Sequence, residues 1–219
     1  MIEAVIWDFG GVFTTSPFEA FNRYEAAHGL PRDLIRTINA TNPHDNAWAK
    51  FERAEIDAAG FDALFLTEAT ARGHAVRGAD VLPLLSGQVR PRMVEALRIC
   101  KRHFQVGCIT NNMAQGHGPG MAAGPAEASR TSDVMALFDV VIESSKVGVR
   151  KPDPAIYLMM CEALNIRAQD CVYLDDLGVN CKGAAQIGMT AIKVVSETQA
   201  LADLERATGL TFETMGADA

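Results

Sequence analysis

Three clusters of polar side chains stand directly behind short apolar runs. Asp8 follows Val5-Ile6-Trp7, Thr110-Asn111-Asn112 follows Val106-Gly107-Cys108-Ile109, and Asp175-Asp176 follows Cys171-Val172-Tyr173-Leu174. Apolar runs of this length read as buried strands of a parallel sheet. A carboxylate at the end of such a strand is expensive unless it is paired or holds a metal, and open α/β sheets bind ligands at the carboxyl ends of their strands. If the three strands are parallel neighbours, Asp8, Thr110 and the Asp175-Asp176 pair converge on one sheet edge. Carboxylates meeting there repel one another and need a cation, and an oxygen-only donor set suits a hard ion such as Mg²⁺. Simpler local roles stand beside these: Asp8 as a turn residue, and Asp175 and Asp176 as caps of the following helix.

The stretch Ser145-Lys146-Val147-Gly148-Val149-Arg150-Lys151-Pro152-Asp153-Pro154 supplies three positive charges before a proline-initiated helix. Pro152 stiffens the backbone of Lys151 and places it well to meet a dianion, whereas Lys146 and Arg150 read equally well as a solvated charge run. The chemistry that fits is attack by the Asp8 carboxylate on an electrophilic centre, giving an acyl phosphate or ester that water later cleaves. Lys151, the metal, the Thr110 hydroxyl and nearby backbone amides would hold the transferring group.

The elements that must position these residues alternate along the chain. Residues 4–8 read as the first strand, 9–17 as a loop, and 17–27 as a helix ended by Gly29-Leu30-Pro31, with a further helix beginning near Arg32. Helical periodicity continues over 45–59 and 61–72, and no strand is expected between 14 and 90. Strand–helix alternation then resumes: a helix over 92–102, a strand over 104–109, a strand at Val140-Val141-Ile142, a helix over 153–165, a strand over 171–174, a helix over 180–187 and a last strand over 190–194. Residues 113–132, dominated by Gly, Ala and Ser, read as a loop, and the tail 211–219 carries no strong packing signal. This is the pattern of an α/β doubly wound parallel sheet. The core is expected over 1–15 and 85–219, with a small helical cap over 16–84. Phe18, Phe21, Trp48, Phe51 and Phe65 recur at helical spacing, which suits cap core better than a pocket wall.

A chain of 219 residues has room for one substantial core plus a small accessory domain. Its 48% hydrophobic and 21% charged residues are ordinary for a soluble globular protein. A net charge of −7 gives no support to a nucleic-acid partner, but leaves room for a locally positive site that takes an anionic small molecule. Cys100, Cys108, Cys161, Cys171 and Cys181 are odd in number and lack metal-ligand spacing, so they read as small buried hydrophobes in a reducing compartment. No apolar run approaches membrane length and the N-terminus lacks a signal-like segment, so a cytoplasmic location without a membrane partner is expected. The five histidines are scattered and form no nucleophilic or zinc constellation.

Four motifs together resemble the haloacid dehalogenase superfamily, whose members are mostly aspartate-nucleophile phosphatases. Asp8-Phe9-Gly10-Gly11-Val12 is similar to its first motif, Thr110-Asn111-Asn112 to its second, Lys151-Pro152 to its third and Leu174-Asp175-Asp176 to its fourth. The resemblance implies Asp8 as nucleophile. It implies phosphate binding by Thr110 and the amides of Asn111 and Asn112, with Gly11 beside them, and a neutralising role for Lys151. The implied Mg²⁺ ligands are Asp8, the Gly10 carbonyl and Asp176, with Asp175 as helper; Asn180 and Gly188 match lesser positions. The run from Glu143 to Tyr157 resembles the subgroup that includes the phosphatase domain of soluble epoxide hydrolase and bacterial sugar-phosphate phosphatases. The implied activity is hydrolysis of a small phosphorylated metabolite by a monomer or homodimer. One departure matters: the usual second aspartate, general acid for the leaving alcohol, is replaced by Gly10. A placed proton donor is worth about 10²–10⁴ in rate, so two alternatives stay open: a metal-free 2-haloacid dehalogenase using the same Asp8, and a non-catalytic phosphate-binding protein.

Overall fold

The computed structural model describes residues 1–113, 122 and 124–212. Five strands form one parallel sheet: β1 (Ala4–Trp7), β2 (Gln105–Thr110), β3 (Val140–Glu143), β4 (Cys171–Asp175) and β5 (Thr190–Lys193), in the order β3-β2-β1-β4-β5. Trp7 stands opposite Cys108 on β2 and Leu174 on β4. The polar residues that follow these strands therefore emerge side by side, as the strand pattern anticipates.

Every residue of β1 and β4 is buried, which a sheet covered on both faces requires. Alternate residues serve opposite faces. Val5, Trp7, Val106, Cys108, Val172 and Leu174 pack with Met93 and Leu97 of α6 (Pro91–Lys101) and Leu201 and Leu204 of α11 (Glu197–Thr208). Ala4, Ile6, Ile109 and Tyr173 pack with Ile156, Tyr157, Met160 and Leu164 of α9 (Pro154–Leu164). The Met160 side chain of α9 comes so close that a Cβ at Gly107 would lie 2.6 Å from its sulfur. All five cysteines are buried free thiols, in keeping with their reading as small hydrophobes.

Between β1 and α6 lie α1 (Pro17–Ala27), α2 (Leu34–Ala40), α3 (Ala47–Glu52), α4 (Ala58–Thr70), α5 (Gly78–Val81) and a short 3₁₀ turn, Leu82–Leu85. Ser16 caps α1 by accepting from the Phe18 amide, with Pro17 at the first helical position. These helices share their own apolar cluster, in which the rings of Phe51 and Phe61 stack and Trp48 meets Phe61 edge-on. The buried carboxylate of Glu25 ties α1 to α2 by accepting from the Asp33 and Ile35 amides at 2.7 and 2.9 Å. The two connections to the sheet run together, with Thr15 N–H donating to the Gln88 carbonyl at 2.9 Å and Arg90 N–H to that of Phe13 at 2.7 Å.

Three expectations need correction. The segment read as a loop over 113–132 contains the start of α7 (Pro125–Met135), a helix opened by proline and anchored by buried Val134 and Met135; residues 114–121 and 123 lie outside the described residues. The helical stretch read over 45–59 is broken after Glu52, where Ala54 takes a left-handed backbone. The tail is not wholly without packing: Phe212 is buried in the sheet core and its amide donates to Glu205, while residues 213–219 lie outside the described residues. Helix α11 has no counterpart in the sequence expectations. Its signals are local: a capping box between Ser196 and Gln199 and a left-handed Gly209 at its end. Among the described residues no helix is long and apolar enough to cross a membrane.

Candidate active site

Asp8 is the first residue past β1, and its amide continues the ladder by donating to the Leu174 carbonyl at 2.8 Å. Its Oδ1 accepts from the Phe9 amide and from the Lys151 ammonium, both at 2.7 Å. The chain then turns through two glycines that differ in what they require. Gly11 has a φ of +74°, and a side chain there would lie 2.2 Å from Asp176 Oδ2, so both backbone conformation and space demand glycine. At Gly10 nothing lies within 4 Å of an added Cβ and the backbone is not left-handed.

Lys151 is 1% exposed and all three of its ammonium donors are used. They reach Asp8 at 2.7 Å, Asp175 at 2.9 Å and the Ile109 carbonyl at 2.8 Å. Asn111 holds the lysine backbone, accepting from the Lys151 amide at 2.9 Å and donating to its carbonyl at 3.1 Å. Burial alone would lower the Lys151 pKa, but Asp175 and Asp8 overcome it and hold the ammonium charged well above the ordinary range.

Asp175 is fully buried and saturated with donors: Lys151 and the Tyr173 hydroxyl on Oδ2, the Leu177 amide on Oδ1, and the Asn180 side-chain amide shared between both oxygens. Asp176 is less buried and reaches the cavity. Oxygens of Asp8, Asp175 and Asp176 lie within 4.8 Å of one another. Burial, and then repulsion from Asp175 and Asp176, raises the Asp8 pKa well above the carboxylate range despite Lys151. Burial, with repulsion from Asp175, pushes Asp176 up to about 7. Three carboxylates against one ammonium leave negative charge in excess, and a hard divalent cation with oxygen ligands fits that deficit. Asp8 and Asp176 would hold it with the Gly10 carbonyl. Asp175, whose oxygens are already engaged, positions Lys151 and the turn to Asp176.

These residues open into a cavity of about 570 Å³ lined by Asp8, Gly10, Thr110, Asn111, Lys151, Asp176 and Asn180 on the sheet side. Its other wall comes from the helical insert, including Phe18, Phe21 and Trp48. Phe51 and Phe65 stay in the insert's core, so the aromatic set divides between the two roles. Two expected phosphate-binding positions point their amides elsewhere. Gly11 N–H faces the Thr14 hydroxyl at 3.2 Å, and Asn112 N–H donates to Ser144 Oγ at 3.1 Å. The Asn112 side chain engages Glu143 and Ser145, so this residue joins β2 to the start of α8 (Ser144–Val147) rather than lining the cavity.

Of the charge run, Lys146 is an exposed partner of Glu143, as a solvated charge would be. Arg150 is not: its Nε meets Glu52 at 2.5 Å and its Nη1 donates to the Pro43 carbonyl at 2.8 Å. Glu52 also accepts from Asn111 at 3.3 Å, and its carbonyl accepts from Ser144 Oγ at 2.7 Å. The last residue of α3 is thus joined, through Asn111, to the backbone of Lys151. Glu52 and Tyr173 escape sequence reasoning, because nothing in their local context marks them.

A family model for haloacid dehalogenase-like hydrolases matches residues 2–188, and the chain belongs to that family. It is 32% identical over 201 residues to a phosphatase of Mycobacterium tuberculosis (strain CDC 1551 / Oshkosh), covering 88% of this chain and 87% of that protein. It is 27% identical over 224 residues to mouse bifunctional epoxide hydrolase 2, covering 96% of this chain and 40% of that one. The chain spans less than half the length of the mouse relatives it matches. The fold is shared with a solved enzyme of the same family from Bacteroides thetaiotaomicron, in complex with magnesium and inorganic phosphate. The TM-score is 0.56 at 16% identity, with 88% of this chain and 94% of that one covered.

The two glycines separate cleanly by substitution. Gly11→Ala displaces the Asp176 carboxylate and should weaken Mg²⁺ binding by about tenfold or more, whereas Gly10→Ala should change it by less than about twofold. Calorimetric Mg²⁺ titration of both variants checks this, and equal affinities would contradict the close approach. The raised carboxylates also set a pH dependence. In metal-free protein Asp176 keeps its proton up to about 7, while unfolded chains release theirs near the ordinary aspartate value of 3.8. Its contribution to stability is therefore greatest at acid pH and is lost as pH rises toward 7. A Mg²⁺ ion bound there would compete with those protons, so its effect on the thermal midpoint should be larger at about pH 8 than at about pH 5.5. Midpoints measured with chelator and with Mg²⁺ at both pH values decide it.

Proposed function

We propose that the chain is a Mg²⁺-dependent phosphatase of small phosphorylated metabolites that works through an aspartyl-phosphate on Asp8. The observation that carries this reading is the Lys151 ammonium, which grips Asp8 Oδ1 and leaves Oδ2 without a donor among the described residues. Oδ2 attacks phosphorus, and the bond from phosphorus to the ester oxygen breaks, releasing an alkoxide that takes a proton from water. Water then attacks the phosphorus of the acyl phosphate, and phosphate leaves as the Asp8 carboxylate is restored. Lys151 orients Asp8 and favours its ionised form against burial and the neighbouring carboxylates, and Thr110 at the end of β2 holds the transferring group. Asp8, the Gly10 carbonyl and Asp176 hold Mg²⁺, supported by Asp175; when bound, it neutralises charge on the transferring phosphoryl group. The helical insert over 16–84 is the cap that selects the leaving group.

The proposal draws support from phosphatase relatives, including a phosphorylated carbohydrates phosphatase of Thermotoga maritima (strain ATCC 43589 / DSM 3109 / JCM 10099 / NBRC 100826 / MSB8). The carboxylate trio argues against a metal-free dehalogenase, because two raised carboxylates beside Asp175 are a poor arrangement without a cation.

Hydrolysis of a phosphorylated-metabolite panel should require Mg²⁺, stop with chelator and vanish in Asp8→Asn. Release of halide from 2-haloacids by chelator-treated protein would replace this reading with the dehalogenase one. Gly10 cannot give a proton to the leaving group, so rates should fall steeply as leaving-group pKa rises, with aryl esters well ahead of alkyl esters of similar size. A Cβ at Gly10 meets nothing within 4 Å, and Gly10→Asp should raise alkyl-ester turnover by about tenfold or more. A rate series against leaving-group pKa for both proteins tests this. A flat wild-type series would place the proton donor elsewhere, and phosphate binding without turnover of any ester would favour a non-catalytic role.

A further inference from the structure

The cap wall of the cavity carries a cation that the proposed chemistry does not use. Arg36 on α2 lines the cavity that holds Asp8. Its guanidinium carbon sits 4.2 Å from the centroid of the Phe18 ring, an aromatic backing that restricts the group while leaving its edges free to donate. Two other strong cations line the same cavity, and both are engaged. Lys151 is taken by Asp8, Asp175 and the Ile109 carbonyl, and Arg150 by Glu52 and the Pro43 carbonyl. Arg36 has a weaker partner. Its Nη1 meets Asp33 Oδ1 at 3.3 Å, and the two side chains are 47% and 44% exposed. An ion pair so open to solvent is worth little, and a guanidinium presents five donors in a planar fork. The rest of the wall is largely apolar, through Phe21, Trp48, Leu85, Met113, Leu177 and Val179.

We propose that Arg36 is a specificity-determining residue that binds a carboxylate on the leaving group, so that the preferred substrate is a phosphomonoester with an apolar middle and an anionic far end. The planar fork suits a carboxylate, which would take over donors that Asp33 now shares with solvent. Phe21 and Trp48 would cover the middle of such a molecule, and Asp8 would meet its phosphate. The assignment of substrate class rests on the phosphatase reading; the carboxylate subsite does not.

The test uses the full chain with Mg²⁺ and two esters whose leaving phenols are of similar acidity: the phosphate of 3-(4-hydroxyphenyl)propanoate and that of its primary amide. In parallel, calorimetry measures binding of the two dephosphorylated compounds. Wild type should prefer the acid by about five- to tenfold in kcat/KM, mainly through KM, with the same preference in binding. Arg36→Met should bring both preferences below about twofold, Arg36→Lys should keep part of them, and Asp33→Asn, which removes the competing carboxylate, should enlarge them. Equal use of both esters by wild type, or a preference that survives Arg36→Met, overturns the subsite while the phosphatase reading stands. If neither ester turns over but binding keeps an Arg36-dependent preference for the acid, the subsite stands and the phosphatase reading falls. Absence of that preference in binding overturns the subsite.

Discussion

The site is organised around one ammonium group. Lys151 lies almost fully buried between Asp8 and Asp175 and gives its third donor to a strand carbonyl. Such a buried cluster is a poor source of stability, because desolvation offsets most of the Coulombic gain. Its cost makes sense as preorganisation if Asp8 is the nucleophile proposed above: a carboxylate with one oxygen fixed and the other free needs no rearrangement when charge develops. Asp175 bonds Lys151, Tyr173, Leu177 and Asn180, which fixes the lysine from behind and aims the adjacent Asp176 at the cavity.

The same ammonium connects the sheet to the helical insert. Asn111 clasps the Lys151 backbone on both sides and touches Glu52, which is held by Arg150 from the segment that carries Lys151. Glu52 of the helical insert thus meets, through Asn111 and Arg150, the segment that carries the lysine. The paired connections at Thr15 and Gln88 bring both ends of the insert back to the same point beside the sheet.

Much of this is legible in the sequence. Buried parallel strands have a strong local signature in Val5-Ile6-Trp7 and Cys171-Val172-Tyr173-Leu174, and the polar residues behind them announce the sheet edge. Helix α11 and the start of α7 are not, because helices rich in polar residues and alanine look like loops until caps such as Ser196 and Gln199 are weighed. Roles carried by a backbone amide were also hidden. Gly11 and Asn112 belong to the right motifs, yet their N–H groups are spent on Thr14 and Ser144, and which way an amide points is a matter of turn geometry.

By itself the sequence determined the fold class and the family resemblance and singled out Asp8, Lys151 and the Asp175-Asp176 pair as candidates, because each is marked by residues adjacent in the chain. Only the tertiary structure decided how neighbours far apart in sequence divide the work. It saturated Asp175 while leaving Asp176 at the cavity, turned Arg150 from a surface charge into a partner of Glu52, and left Arg36 loosely held against Phe18. The physical reason is that an ionic group's role depends on which counter-charge packing brings within about 3 Å of it, and that pairing is settled by the fold rather than by any local run of residues.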